Sequence, residues 1–449
     1  MLHLPLISSD LWKSIDDPAA RIDRVLTDRS YRLSIGLDVD QSVRTMQCAL
    51  VMTSGHGKYL RVRHVVGSQT KLPPAITKDW HQLRQSEPLP LLKYRQFIAD
   101  LADLQVQAIE LVKRKAGKYV DRILFASISE PGVWMKDFDG SDIYCGLTDS
   151  HRIANLTGLT VVDDYPANDV IAGGRGGPFS ALPLWLTLSD RNAKVADEHR
   201  VALLLNEMCE GYLLPASDGL DAELPRIRTI RSPGKRFLRS LIEAIRDNNR
   251  DDQEALKQSS STGNVSESLK RSWEECKGNQ PLRVKAAVDA VNSKELTIAD
   301  VLKTAIDFTV GSCLEQIHRG GNGLAYHGPQ PASSNVRHIY VLGDAEITGP
   351  FLDYLNQSFP QETIFTQTPE AVDGQNVHGL VAALLGILHV DQMQANIPSI
   401  TGAGQQRILG KLTPGSPSNW RQLVRDMSDF RPPAMKLRDA IRNSRRVGS

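Results

Sequence analysis

The order of strand-like and helix-like segments is the feature that most constrains how this chain can fold. The first half predicts three strands and then a long amphipathic helix, at residues 31–38, 46–53, 59–66 and 92–116. The second half predicts another strand pair and then helices, at residues 201–206, 212–215, 232–246, 283–292 and 296–315. Strand meanders followed by helices in each half predict two α/β lobes around a central cleft.

Length and charge narrow the class of protein. A chain of 449 residues exceeds what one hydrophobic core can organise, because single cores stop growing near about 250 to 300 residues. The formal net charge is +1, so the chain has no global field that favours nucleic acid or an acidic lipid surface. Two or more hydrophobic cores are therefore expected.

Cysteine usage and the N-terminal sequence indicate the compartment. The 5 cysteines (Cys48, Cys145, Cys209, Cys276 and Cys313) form no CxxC pair, which indicates reduced thiols. The N-terminus lacks a basic segment followed by a long apolar core, and no apolar run approaches the roughly 20 residues that span a bilayer. A cytoplasmic location is predicted.

Composition shifts suggest the domain boundaries. We predict an N-terminal extension at 1–30, a first lobe at 31–185 and a second lobe at 186–395. The predicted first lobe also takes in residues 396–412, and the predicted second lobe contains a polar insertion at 247–279. Residues 413–449 are predicted to form a basic C-terminal tail, interpreted as solvated and not as a nucleic-acid site.

Two ordered segments of the chain resemble the anhydro-N-acetylmuramic acid kinase family. The first contains Thr157-Gly158, an apolar strand, Asp164-Tyr165, Asp169-Val170, Gly173-Gly174, Gly176 and Pro178. The second runs from Asn396 to Ala403 and continues with Ile408-Leu409-Gly410. Both segments are long and correctly placed in the chain, and the resemblance extends over roughly residues 34–410.

The resemblance implies a fold and an activity. The fold is the two-lobed actin-like ATPase (ribonuclease H-like) type, shared with sugar kinases and heat-shock ATPases. The family opens the 1,6-anhydro ring of anhydro-N-acetylmuramic acid with water and phosphorylates the sugar with ATP and Mg²⁺, as part of peptidoglycan recycling. A homodimer is the implied assembly, with no nucleic-acid or membrane partner.

The resemblance also implies site residues. Those aligned with substrate-binding positions are Asp164, Asp169, Gly173, Gly174, Gly176 and His378. Those aligned with phosphate-side positions are Gly36, Asp38, Ser42, Gly234 and Gly343. Asp38 is the candidate metal ligand, because the first turn of this superfamily carries a carboxylate on the metal side. Each glycine could equally be a tight turn that the fold requires.

Several family positions carry different residues here. Ile230 stands where the family has its catalytic Asp, and an isoleucine accepts no proton. Met208 and Cys209 replace two glycines of the second phosphate-side turn, and Asp344 introduces a negative charge at the nucleotide side. Asp40 places a carboxylate where a phosphate would approach, which costs Coulomb energy unless Mg²⁺ intervenes.

Three interpretations remain open on sequence alone. An active sugar kinase would need a relocated base, for which Asp164 and Asp169 are the candidates. A pseudokinase would keep the fold as a sugar-binding, sensory or partner-binding protein, and the loss of cleft residues beside intact strands favours it. A cleft rebuilt for another anionic ligand rests on the basic run from Arg226 to Arg236.

Overall fold

A computed structural model describes most of the chain from residue 31 to residue 429. The described residues are 31–57, 60–85, 90–136, 142–188, 199–205, 210–215, 227–229, 241, 264–276, 280–297, 300–301, 304–305, 308, 336–343, 352, 355–356, 363–368 and 376–429. The chain divides into two compact units, one of residues 1–187 with 378–449 and one of residues 188–377. The predicted extension at 1–30 lies outside the described residues.

The first unit is built on a six-stranded sheet. Its strands are β1 (Arg32–Val39), β2 (Thr45–Ser54), β3 (Arg61–Lys71), β4 (Ile123–Ser129), β7 (Thr160–Asp163) and β13 (Lys411–Thr413). Their order across the sheet is β13-β7-β4-β1-β2-β3. Strands β1, β4 and β7 are parallel, whereas β2 runs antiparallel to both β1 and β3. A separate hairpin pairs β5 (Val133–Lys136) with β6 (Asp142–Cys145).

Helices cover this sheet and connect its strands. They are α1 (Pro74–Gln85), α2 (Leu91–Ala116), α3 (Ser150–Thr157), α4 (Tyr165–Ile171), α5 (Ala181–Leu188), α8 (Val377–Val390), α9 (Pro398–Thr401) and α10 (Pro417–Asp429). Helix α2 buries one apolar face along β1 to β3, and its repeating Leu101, Ile109 and Val112 are fully buried. Strand β1 is buried along nearly its whole length on both faces, as expected of a strand covered on both sides.

The second unit repeats the strand order of the first. Its strands are β8 (His199–Leu205), β9 (Glu210–Pro215), β10 (Arg228–Thr229), β11 (Val336–Gly343) and β12 (Thr363–Phe365). They are ordered β10-β9-β8-β11-β12, with β8, β11 and β12 parallel and β9 antiparallel to β8 and β10. A meander followed by parallel strands on its first edge, present twice, confirms the predicted actin-like ATPase fold class.

Part of the predicted polar insertion is a packed helix. Helix α6 (Glu267–Glu275) precedes α7 (Gln280–Asn292), and the two helices contact each other. The Trp273 indole is fully buried and donates to the backbone oxygen of Arg283 at 3.1 Å, while Arg283 Nε donates to the Trp273 carbonyl at 2.8 Å. This reciprocal pair locks the two helices in one register.

Two predicted boundaries differ from the structure. Residues 378–395 were assigned to the second lobe, but α8 packs on β1 and β2 of the first unit, with Gly379 and Ala383 against Gly36. An apolar helix cannot be assigned to a lobe by its own periodicity, since either sheet would bury it. Within the predicted basic tail, α10 is a packed helix, whose Asn419 Nδ2 donates to the Ile123 carbonyl at 2.9 Å.

Candidate functional site

The turn between β1 and β2 is held by the carboxylate of Asp40. That carboxylate accepts the backbone N–H groups of Arg44 at 2.9 Å and Thr45 at 2.8 Å. It also accepts the hydroxyls of Thr45 at 2.6 Å and Ser42 at 3.1 Å. Two backbone N–H groups and two hydroxyls converging on one anion make the local geometry that elsewhere holds phosphate. Here the anion belongs to the chain itself.

Helix α1 also stabilises the β1–β2 turn, through two hydrogen bonds from its side chains. Trp80 Nε1 donates to the Gln41 carbonyl at 3.1 Å, and Thr77 Oγ1 donates to the Val43 carbonyl at 2.8 Å. Val43 has a φ of 52°, a left-handed conformation that a β-branched residue adopts only under constraint. The turn is therefore fixed by contacts on both sides, and its conformation does not depend on a ligand.

Two of the predicted phosphate-side residues have structural roles in this turn and strand. Ser42 is buried, and its hydroxyl donates to Asp40. Gly36 lies within β1, where a Cβ would overlap the carbonyl oxygen of Gly379 and the amide nitrogen of Ala383. The missing side chain at Gly36 lets helix α8 approach the sheet at backbone distance. Both residues lie at the first hairpin as predicted, but the structure uses them for packing and turn geometry.

Asp38 and His378 meet beside this turn. Asp38 Oδ2 lies 4.0 Å from His378 Nδ1, and the His378 side chain is 13% exposed. The His378 backbone N–H donates to Gln47 Oε1 at 3.1 Å. Burial lowers the pKa of His378 to about 4, although Asp40 raises it, so the imidazole is neutral at physiological pH. The resemblance assigned His378 to the substrate side, and the structure brings it to the predicted metal ligand Asp38.

Asp169 organises the glycine loop at residues 173–177. Its Oδ1 accepts the side chains of Asn396 at 2.8 Å and Thr401 at 2.7 Å, and its Oδ2 accepts the Gly176 N–H at 2.9 Å. The Asp169 side chain is fully buried. One carboxylate thus joins the two segments that carry the family resemblance, 157–178 and 396–403. This role is positional, and it leaves no oxygen of Asp169 exposed to activate water.

The glycines of this loop differ in what surrounds them. A Cβ at Gly174 would overlap the Asp169 carboxylate, and one at Gly176 would overlap the Trp134 ring. Gly173 has a φ of 82° and nothing within 4 Å of its missing Cβ. Arg175, which could have supplied an anion contact, donates instead to the carbonyl of Ile400 at 2.7 Å. The loop is open at Gly173 and closed at Gly174 and Gly176.

Glu130 stands at the end of β4, buried against the β5–β6 hairpin. It accepts the Gly132 N–H at 2.7 Å and the Tyr144 hydroxyl. Burial raises the pKa of Glu130 to about 7, although hydrogen bonds from Tyr144, Leu147 and Gly132 lower it. Burial also raises the pKa of Tyr144 well above its usual value, with Glu130 adding to that shift. Glu130 can therefore hold or release a proton near neutral pH.

Asp163 and Asp164 follow at the end of the adjacent parallel strand β7. Lys411 Nζ lies 3.6 Å from Asp163 and 3.3 Å from Asp164, whose side chain is 25% exposed. Burial raises the pKa of Asp163 to about 7, against the lowering effect of Lys411. Asp163 Oδ1 is buried and has no hydrogen-bond partner among the described residues. The carboxyl ends of β4 and β7 thus form an acidic edge with one lysine.

Trp134 lies beside that edge and was missed by the sequence predictions. The residue is 40% exposed, its ring centroid lies 5.2 Å from that of Tyr144, and its Nε1 donates to the Pro131 carbonyl at 3.2 Å. An aromatic residue in a short strand-like segment was the available signal. Strand-like segments of four residues are too short for periodicity to separate an exposed aromatic from a core one.

Several predicted residues lie outside the described part of the chain. These are Ile230 and Gly234, the second phosphate-side turn with Met208 and Cys209, and Asp344. Most of the basic run from Arg226 to Arg236 lies there as well. Gly343 is described: it ends β11 opposite Leu205 and has a φ of 125°, which favours glycine. Its role toward a ligand stays a prediction.

Three observations limit what the described residues can hold. Within the described ranges, no group of three His, Cys, Asp or Glu side chains has the arrangement of a metal site. The N–H groups of Arg44 and Thr45 already donate to Asp40, so the β1–β2 turn as it stands does not fit a bound phosphate. None of the described helices is long and apolar enough to cross a membrane.

Comparison with known proteins identifies relatives. The model of the anhydro-N-acetylmuramic acid kinase family matches residues 281–415. The anhydro-N-acetylmuramic acid kinase of Shewanella loihica is 24% identical over 362 residues, which cover 77% of this chain and 89% of that protein. The corresponding enzyme of Vibrio cholerae is 22% identical over 332 residues, covering 72% of this chain and 84% of that protein.

A solved structure was also compared. Component A of the (R)-2-hydroxyglutaryl-CoA dehydratase of Acidaminococcus fermentans gives a TM-score of 0.37 at 10% sequence identity. The match covers 78% of this chain and 96% of that chain.

Proposed function

We propose that the chain, which is similar to the anhydro-N-acetylmuramic acid kinases, binds an amino sugar of that family's substrate type and has lost most phosphoryl transfer. The family's activity is ATP-dependent ring opening and phosphorylation of the anhydro sugar. In this chain the sugar side of the site is retained, and the phosphate side is filled by the protein's own residues.

The Asp40 turn carries this proposal. Two N–H groups and two hydroxyls are committed to the Asp40 carboxylate, so a phosphate would have to displace a covalently attached anion. It would also meet the negative charge of that anion, because the displaced carboxylate stays within a few bonds of the turn. Phosphoryl transfer depends on positioning and on electrostatic stabilisation of the phosphate oxygens, and here both are opposed.

The family base position supports the same proposal. The resemblance aligns Ile230 with the catalytic Asp, and loss of a general base costs about 10² to 10⁴ in rate. Asp169 cannot replace it, since both of its oxygens accept buried hydrogen bonds. Asp164 remains the one candidate for a relocated base from the predicted residues, and its carboxylate is paired with Lys411.

Retention of a sugar site rests on the loop at 173–177. Asp169, Asn396 and Thr401 keep the two family segments together through buried hydrogen bonds. Such a network is costly to maintain unless it stays fully satisfied, and it is fully satisfied here. The proposal keeps the predicted cytoplasmic location, where anhydro amino sugars from peptidoglycan would be met.

The test is a product assay at high enzyme concentration. The purified chain is incubated with Mg·ATP and 1,6-anhydro-N-acetylmuramic acid, and phosphosugar is measured by mass spectrometry beside the Shewanella loihica relative. The proposal expects at least a thousandfold less product than that relative gives. Product formation within tenfold of the relative would show an active kinase, and Asp164→Asn would then test the relocated base.

A further inference from the structure

The exposed Trp134 is held rigidly. Its indole N–H donates to the Pro131 carbonyl at 3.2 Å, and Gly176 lies so close that any Cβ there would overlap the ring. The Pro166 Cβ lies 3.1 Å from the position of that same Cβ, so proline and tryptophan close over Gly176 together. Trp134 is 40% exposed, so the fixed ring presents a flat apolar surface to solvent. A ligand that stacks on it does not have to order the side chain first, which saves conformational entropy.

Tyr144 extends this surface. Its ring lies at 58° to the Trp134 ring, with centroids 5.2 Å apart. Tyr144 packs on Gly132, whose φ is 63° and whose Cβ, if present, would overlap the tyrosine ring. Each aromatic ring of the pair is therefore seated on a glycine with positive φ. Trp134 and Tyr144 together are called the aromatic shelf below.

The charges around the aromatic shelf are negative. Glu130 lies beneath Tyr144 and accepts its hydroxyl, and Asp164 influences the titration of Glu130, Tyr144 and Cys145. Lys411 is shared between Asp163 and Asp164. The Arg175 guanidinium, a possible counter-charge, donates to backbone carbonyls of 400 and 401. Among the described residues here, three carboxyls therefore lie near the aromatic shelf, and Lys411 pairs with two of them.

We propose that the aromatic shelf stacks the pyranose ring of an uncharged amino sugar, and that the acidic edge of Glu130, Asp163 and Asp164 disfavours a sugar bearing a carboxylate. Aromatic faces carry a negative quadrupole and attract the weakly positive C–H face of a sugar ring. Carboxylates beside the shelf can accept sugar hydroxyls, whereas an anionic substituent meets like charge in a partly buried setting. Gly173, with open space at its missing Cβ, leaves room at the loop.

This inference rests on the proposed function and deepens it, since it names the class of sugar. The family substrate carries a lactyl carboxylate on its anhydro ring. A preference for the same ring without that group would make this chain specific for 1,6-anhydro-N-acetylglucosamine. Binding a neutral sugar needs neither a base nor a phosphate turn.

The experiment compares two sugars that differ only in the lactyl group. The full chain is titrated calorimetrically at pH 8 with 1,6-anhydro-N-acetylglucosamine and with 1,6-anhydro-N-acetylmuramic acid. At this pH Glu130 and Asp163, whose pKa values burial raises to about 7, are mainly ionised. The variants are Trp134→Ala and, as a matched control, Leu156→Ala, an exposed apolar side chain on α3.

The expected result is at least tenfold tighter binding of the neutral sugar, lost at least tenfold in Trp134→Ala and unchanged in Leu156→Ala. A Trp134→Phe variant should keep most of the affinity, which separates stacking from misfolding. Equal or tighter binding of the muramic sugar would overturn the charge argument, and an unchanged Trp134→Ala would overturn the shelf. Binding of neither sugar would overturn the inference, while the product assay on phosphosugar is read out independently.

Discussion

The β1–β2 turn and the loop at 173–177 are both built around one aspartate, and they differ in what that aspartate leaves open. The Asp40 carboxylate accepts the N–H groups of its own turn, so these donors do not point into an empty space where a ligand could bind. Asp169 draws in Asn396, Thr401 and Gly176 from neighbouring segments and leaves Gly173 facing open space. An aspartate that accepts the donors of its own turn therefore closes a ligand site, whereas one that accepts donors from neighbouring segments can shape a site.

The largest predicted effect concerns a glycine next to the closed region. Gly36→Ala should lower the free energy of unfolding by about 3 kcal/mol or more, because its Cβ overlaps backbone atoms of α8 that cannot move as a side chain would. Urea denaturation followed by circular dichroism measures this change. Gly173→Ala is the matched control in the open loop, where the φ of 82° alone should cost about 1 kcal/mol. Equal costs for the two variants would contradict the comparison.

The second prediction concerns the aspartate of the open loop. Asp169→Asn should cost about 2 to 3 kcal/mol, since the new amide turns a donor toward Asn396, Thr401 or the Gly176 N–H. Thermal unfolding is a suitable measurement. Asp164→Asn serves as control: its carboxylate is partly exposed and paired with Lys411, so its loss should cost less than about 1 kcal/mol. A larger loss in the control would show that the acidic edge, not Asp169, organises the loop.

The third prediction concerns the aspartate of the closed turn. Asp40→Ala should lower stability by about 1 to 2 kcal/mol, because the N–H groups of Arg44 and Thr45 lose their acceptor but can recruit water. Asp79→Ala, at an exposed carboxylate on the α1 helix that contacts the turn, should change stability by less than about 0.5 kcal/mol. If Asp40→Ala changed the free energy of unfolding as little as Asp79→Ala, the turn would not depend on the Asp40 carboxylate.

The fourth prediction concerns how the free energy of unfolding changes with pH. The folded pKa of Glu130 is raised above its unfolded value, so the folded state binds more protons between about pH 4 and pH 7. The stability contributed by Glu130 is present at low pH and is lost as pH rises through about 7. Glu130→Gln should flatten that fall over the window between the two pKa values. Denaturation midpoints at several pH values measure it.

A control with the opposite sign sharpens this prediction. The hydrogen bond from Arg152 lowers the pKa of Asp103, so its contribution is present at neutral pH and is lost as pH falls. Asp103→Asn should therefore remove stability at neutral pH and not at low pH. A steeper fall toward high pH in Glu130→Gln than in the wild type would contradict the raised pKa.

The sequence predicted the fold well where strands are long and paired with neighbours in the chain. The repeated meander and the helix at 92–116 follow from hydrophobic periodicity and turn residues, and both are present. The assignment of helix α8 could not follow from periodicity, because its apolar surface suits either sheet. Its partner is set by Gly36 and Gly379, which admit close backbone approach.

The site was predicted less completely, for physical reasons. Asp40 was recognised as a wrong charge for phosphate, yet its role as the acceptor for its own turn depends on the left-handed Val43 and the clamp by α1. Trp134 gave no periodic signal, because its strand is four residues long. The Arg175 side chain donates to the carbonyls of residues 400 and 401, which are distant in sequence. Each of these outcomes depends on tertiary contacts that a single sequence does not reveal.

The claim that the protein fills its own phosphate turn is tested most directly by calorimetric titration of the full chain with Mg·ATP. The account predicts no saturable heat up to millimolar nucleotide, with or without the anhydro sugar, because the amides of Arg44 and Thr45 stay on Asp40. Stoichiometric binding with a micromolar dissociation constant would contradict it, and would mean that the turn opens for nucleotide.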